Sequence, residues 1–137
     1  MNRSSCLLTV DTIIFVRNEV LLVKRKNDPF QGKWALPGGF VEPDEKVLRA
    51  AERELEEETG VRASSLRQFG TYGDPGRDPR GRTVSVVHWI RLPQKPKAVA
   101  ADDAEDCGWF AIDRLPEMAF DHATILSDAR SRLSELG

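Results

Sequence analysis

The chain is short of the features that mark secreted, membrane-bound or nucleic-acid-coating proteins. It has two cysteines, Cys6 and Cys107, too few for a disulfide framework. Cys6 falls in a strand-like run and Cys107 beside Gly108-Trp109, so both read as reduced residues of a cytoplasmic protein. The net charge of −2 over 137 residues argues against a nucleic-acid or membrane partner held by bulk electrostatics. The two histidines, His88 and His122, lie within a strand pattern and at a helix start. They form no metal-ligand spacing and read as structural. The apolar run 6–16 is interrupted by Asp11 and has no small-residue cleavage site, which predicts a strand and not a signal peptide or a span. No repeat or break in composition marks a second domain, so residues 1–137 are expected to form one domain with a continuous core.

What the chain has in excess is glutamate in one place. Five glutamates fall among the seven residues from Glu52 to Glu58, and Arg53 is the only cation among them. The pairs Glu52/Glu56 and Glu54/Glu58 repel at i,i+4, and carboxylates in a last helical turn face the negative end of the macrodipole. A helix is nevertheless expected here. Pro43 suits a first turn, Asp44 can cap it and Gly60 suits the position just past the end. Val47, Leu48, Ala51 and Leu55 recur at helical spacing as the buried stripe. At about 100° per residue, Glu54 and Glu58 fall beside that stripe with Glu57 flanking them, while Glu45, Glu52 and Glu56 point to solvent. Carboxylates converging at the edge of a packed face call for a missing positive charge. Oxygen-only donors favour Mg²⁺ or Mn²⁺ over zinc.

Gly39, Glu45, Arg53, Glu54, Leu55, Glu57, Glu58, Gly60 and Val61 fill the fixed positions of a known signature, and in this the chain resembles the Nudix hydrolase family. Trp34-Ala-Leu-Pro-Gly-Gly39 looks like that family's lead-in strand and turn. The segments Gly73–Thr83 and Phe120-Asp-His-Ala123 resemble its ADP-ribose pyrophosphatase branch. The resemblance implies an α/β fold, a Nudix-type α/β/α sandwich with a mixed β-sheet. It implies Glu57 and Glu58 as metal ligands, joined by the backbone carbonyl of Gly38, with Glu54 as a further ligand or the general base. Arg53 would hold the glutamates by an ion pair, for instance with Glu57. The implied reaction is Mg²⁺-dependent hydrolysis of a nucleoside diphosphate derivative, ADP-ribose foremost. A (d)NTP or oxidised-nucleotide pyrophosphohydrolase and a non-catalytic nucleotide-sensing domain are the alternatives, and a homodimer is compatible with the branch.

The rest of the chain is mixed α and β. Runs 7–16 and 20–24 read as strands joined at Arg17-Asn18-Glu19, with further strands at 66–72, 83–92 and 109–112. A C-terminal helix is expected over 123–136, with Ile125, Leu126, Ala129 and Leu133 inward. Residues 93–101 read as a linker-like loop. Candidate phosphate contacts are Lys24 and Arg25 at a strand end, and Arg77, Arg80 and Arg82 in a Gly/Pro loop. Trp34, Tyr72 and Phe120 are candidates to stack a base, and Trp89 and Trp109 belong to the core. Asp102, Asp103, Glu105 and Asp106 could supply one more carboxylate from a late loop.

Overall fold

A computed structural model describes Arg3, residues 5–99 and residues 104–135. Seven strands form one mixed sheet in the order β3-β2-β1-β6-β5, with β4 added against β1 and β7 against β2. The strands are β1 (Leu7–Val16), β2 (Glu19–Arg25), β3 (Trp34–Ala35), β4 (Gly38–Phe40), β5 (Arg67–Tyr72), β6 (Thr83–Leu92) and β7 (Ala104–Ala111). Helices α1 (Val47–Thr59) and α2 (His122–Glu135) cover the two faces, giving the expected α/β/α sandwich.

The central strand shows why both faces are filled. In β1 the side chains alternate across the sheet: Val10 and Ile14 join Ala50, Ala51, Leu55 and Val61 on the α1 side. Ile13 and Phe15 join Ile125, Leu126, Ala129 and Leu133 on the α2 side. Strand β6 runs parallel to β1 along its whole length, from Leu7↔Thr83 to Val16↔Leu92, and locks its register. The β1–β2 hairpin turns on Arg17 and Asn18, with Phe15 opposite Val20. Arg17 takes the left-handed conformation at φ 54° that such tight turns require.

Several expectations need correction. Helix α1 begins at Val47 with Lys46 as its N-cap and no side-chain cap bond, so neither Pro43 nor Asp44 starts it. The preceding residues instead form a turn in which Glu42 N–H donates to Glu45 Oε1 at 3.1 Å. Gly60 ends the helix as expected, at φ 74°, and frees Val61 to enter the core. Leu48 is 41% exposed, and Ala50 takes the place in the stripe given to it, beside Ala51 and Leu55 as expected. The acidic run is not all loop: Ala104–Ala111 forms β7 antiparallel to β2, with Asp106 opposite Lys24. Asp102 and Asp103 lie outside the described residues. Trp89 and Trp109 pack at the margins of the two clusters and not inside them. Among the described residues no helix is long and apolar enough to cross a membrane.

Candidate functional site

A cavity of about 490 Å³ opens between β1, β2, β4, the N-terminal end of α2 and the loop before β6. Its lining contains Glu54 and Glu58 from α1, Gly38 and Gly39 from β4, Arg25 from β2, Arg77 and Arg80 from the loop, and Phe120.

On the acidic wall Arg53 is the hub. Its guanidinium donates to Glu45 at 2.6 and 2.9 Å, to Glu54 at 2.8 Å and to Glu57 at 3.1 Å. It also donates to the Phe40 carbonyl at 3.0 Å. The i,i+4 ion pair with Glu57 is thus present, but it is one of several. Glu45, expected in solvent, is instead drawn inward by Arg53, whose hydrogen bonds hold its carboxyl down at about 2. The same bonds, that to Glu45 first, push the Arg53 pKa up. Glu52 likewise has a side chain only 21% exposed and pairs with Arg49.

Two glycines make this wall possible. A Cβ on Gly39 would lie 2.5 Å from the Glu54 carboxylate carbon, so the missing side chain is what lets Glu54 rest on the β4 turn. A Cβ on Gly38 would lie 2.1 Å from the Val10 carbonyl oxygen and 2.4 Å from Asp11 Oδ1. Gly38 N–H donates to Glu58 Oε1 at 2.8 Å, fixing Glu58 beside the turn. Glu57 does not line the cavity; its half-exposed carboxylate lies against Arg53. Among the described residues no three carboxylate, imidazole or thiol groups are gathered as a ready-made metal cage. The expected convergence of Glu54, Glu57 and Glu58 is therefore partitioned: Arg53 holds the first two, and the Gly38 amide holds the third.

The opposite wall is basic. Arg25 donates through Nε to the Pro29 carbonyl at 2.6 Å and lies 4.9 Å from the Phe120 ring centre. Burial, with Arg80 nearby, lowers its pKa, so an anion placed there relieves both. Arg80 is bidentate to the buried Asp78, Nε to Oδ1 at 3.1 Å and Nη2 to Oδ2 at 2.8 Å, and sits over both Phe40 at 5.2 Å and Phe120 at 5.6 Å. Arg77 is 5% exposed and bidentate to Asp121, at 2.9 and 2.7 Å. It ties the loop to the start of α2, so its first role is structural. Arg82 does not line the cavity; its Nε closes the loop base on the Gly73 carbonyl at 3.1 Å. Of the three aromatic candidates, only Phe120 reaches the cavity. Trp34 packs edge-on to Phe110, and Tyr72 donates to Asp128 at 2.6 Å. Phe120 adopts φ 53°, uncommon for a bulky residue, and holds Arg25 and Arg80 against its ring.

The floor was not anticipated. Asp11 is buried on β1 and accepts a hydrogen bond from Ser85 Oγ at 2.5 Å on Oδ2. His122 Nε2 lies 3.7 Å from the same oxygen, while His122 Nδ1 accepts the Leu36 N–H at 3.0 Å. Burial raises the Asp11 pKa and lowers that of His122. The signal in the sequence was a charged residue inside an otherwise apolar strand. His88, also buried, has an Nε2 without a hydrogen-bond partner and lies away from the cavity on β6.

Known proteins resemble this chain in sequence and in fold. A family model described as NUDIX domain matches residues 7–129. The chain is 45% identical over 121 residues to an ADP-ribose pyrophosphatase of Methanocaldococcus jannaschii, covering 88% of this chain and 71% of that protein. It is 36% identical over 138 residues to an ADPR responsive transcriptional repressor, NtrR, of Acinetobacter baylyi, covering 95% of this chain and 55% of the repressor. The NUDIX domain of Shewanella oneidensis NrtR, crystallised with ADP ribose, superposes with a TM-score of 0.86 at 34% identity, covering 96% of this chain and 90% of that one.

Proposed function

The chain belongs to the Nudix hydrolase family, and from that premise we propose that it cleaves ADP-ribose to AMP and ribose 5-phosphate with Mg²⁺, or Mn²⁺, as its ion. The observation that carries the reading is the division of the cavity: carboxylates of α1 face Arg25 and Arg80 across one volume. A diphosphate carries two charges and repels a nucleophile, so its cleavage needs cations on the phosphates and an acceptor for a proton from water. The names of the Methanocaldococcus relative and the Shewanella complex support ADP-ribose as the ligand.

The donors fit a hard divalent ion: all are oxygens, and Gly39 leaves the room in which the Glu54 carboxylate rests. Glu57, Glu58 and the Gly38 carbonyl would hold it, with Glu54 as a further ligand or the general base. When bound, such an ion polarises phosphoryl oxygens and lowers the pKa of a bound water. The chain's own residues do the remaining work. Arg53 ties Glu45, Glu54 and Glu57 in place. Glu54, supported on Gly39, is positioned as a proton acceptor. Arg25 and Arg80, steered by Phe120, take the phosphate charge, each charge-assisted bond contributing about 1.5–3 kcal/mol.

The testing experiment is a kcat/KM screen with Mg²⁺ over ADP-ribose, other nucleotide sugars, dinucleoside polyphosphates and (d)NTPs. ADP-ribose is expected to lead. Triphosphate preference would move the chain to the oxidised-nucleotide or (d)NTP class. Tight ADP-ribose binding without turnover would support the sensing role that the repressor relative makes worth testing.

A further inference from the structure

The cavity floor carries a carboxylate that the cleavage chemistry does not use. Asp11 is 7% exposed and lines the same cavity as Arg25 and Arg80. Its Oδ2 is anchored by Ser85 Oγ at 2.5 Å and faced by His122 Nε2 at 3.7 Å. Because His122 Nδ1 takes the Leu36 N–H, the proton of a neutral ring sits on Nε2, on the side toward Asp11. The other oxygen, Oδ1, lies against the side-chain-free face of Gly38. The carboxylate is thus held rigidly, with one oxygen committed and the other beside the turn that adjoins Glu58.

A buried carboxylate stabilises hydrogen-bond donors and repels anions, all the more in a site shielded from water. The diphosphate belongs with Arg25 and Arg80, and a phosphate group placed on Asp11 would meet like charge. A sugar hydroxyl is a neutral donor and suits Asp11. We propose that Asp11, anchored by Ser85, is a specificity-determining residue that accepts a hydroxyl of the sugar beyond the diphosphate and turns away a third phosphate. The proposal rests on the diphosphate-sugar reading of the cavity, but concerns recognition and not cleavage.

Binding measured by calorimetry in excess chelator, with ADP-ribose and ADP as the probes, separates the two. The wild-type chain is expected to bind ADP-ribose more tightly than ADP, and Asp11→Asn to shrink that preference by about ten- to a hundredfold, the scale of a bond to a charged group. The affinity for ATP should rise in the same variant as the repulsion is removed. Ser85→Ala, which frees the carboxylate without deleting it, should reduce the preference by a smaller factor, and it carries the test should Asp11→Asn fail to fold. An unchanged ADP-ribose to ADP ratio in the variants overturns the proposal. So does an equal loss for both ligands, which would mean a purely structural or nucleoside-side role, and so does a wild-type chain with no preference. Failure of ADP-ribose to turn over, with the binding preference intact, would sink the proposed reaction and leave this inference standing.

Discussion

The two walls of the cavity solve the burial of charge in opposite ways. On the acidic wall a single guanidinium, Arg53, serves Glu45, Glu54 and Glu57 together. On the basic wall the bidentate ion pairs are private, Arg77 with Asp121 and Arg80 with Asp78. The first arrangement leaves negative charge in excess, which a cation can complete. The second is locally neutral, so the anion-binding power of the basic wall rests with Arg25, lodged on a carbonyl and an aromatic ring, with the outer edge of Arg80, and with Lys24 and Lys26 of the lining. The contrast teaches that charge placed for a ligand is shared or left to neutral partners, as at Arg53 and Arg25, whereas Arg77 is paired one to one for the fold and Arg80, paired with Asp78, serves both ends.

The contrast is sharpest in an activity measurement. Glu58→Gln should lower kcat by roughly two orders of magnitude or more, the scale of losing a key electrostatic group, while thermal stability holds. Near wild-type kcat would show that the acidic wall's charge is not built for a ligand. The paired control is Glu56→Gln on the outer face, where an exposed pair with Arg62 makes little difference. Arg77→Ala tests the other wall. Breaking a buried bidentate pair and leaving Asp121 uncompensated should cost about 3 kcal/mol, or roughly 10 °C in Tm. A stable Arg77→Ala protein with lost activity would reverse its role.

Smaller effects discriminate further. Arg80→Ala should lower kcat/KM for ADP-ribose about tenfold and also lower Tm, because it leaves the buried Asp78 without its partner, whereas Arg82→Ala, outside the cavity, should change neither measurably. Equal losses in the two would mean that the loop acts by diffuse attraction.

The Arg53 hub has a pH signature. Glu45 is depressed from 4.5 to about 2, so its ionised form is favoured by folding. Its contribution is present in full above pH 4.5 and is lost as pH falls from there toward 2. Urea midpoints at pH 7, 4 and 3 should show the gap between wild type and Glu45→Gln closing over that window. A gap independent of pH would mean that Glu45 acts by packing alone.

The same contrast explains what the sequence made legible. The acidic wall is contiguous, so Glu54, Glu58 and Gly60 could be placed by spacing along one helix and its end, and Gly39 and Arg53 by the signature that the segment resembles. The basic wall and floor are assembled across the fold. Arg77 meets Asp121 only because the loop packs on the start of α2, and Asp11 meets Ser85 and His122 only through the parallel register of β1 with β6 and the docking of α2. No local pattern encodes these meetings. Glu45 failed because it precedes the helix, which begins at Val47, and a bond from Arg53, within that helix, overrode the side that helical periodicity gave it. Strand β7 was missed over most of its length because its start, Ala104-Glu-Asp, is polar, and pairing with β2 decided it.

On the proposed reading, the excess charge of α1 is completed by a divalent cation for cleavage of ADP-ribose. The most direct measurement is ADP-ribose turnover in the presence of Mg²⁺ and after excess chelator, with Tm followed under both conditions. The prediction is AMP and ribose 5-phosphate formed only with the ion present, and a higher Tm with it, as ligand linkage requires. Full turnover in chelator, or an ion that leaves both rate and Tm unmoved, would contradict it.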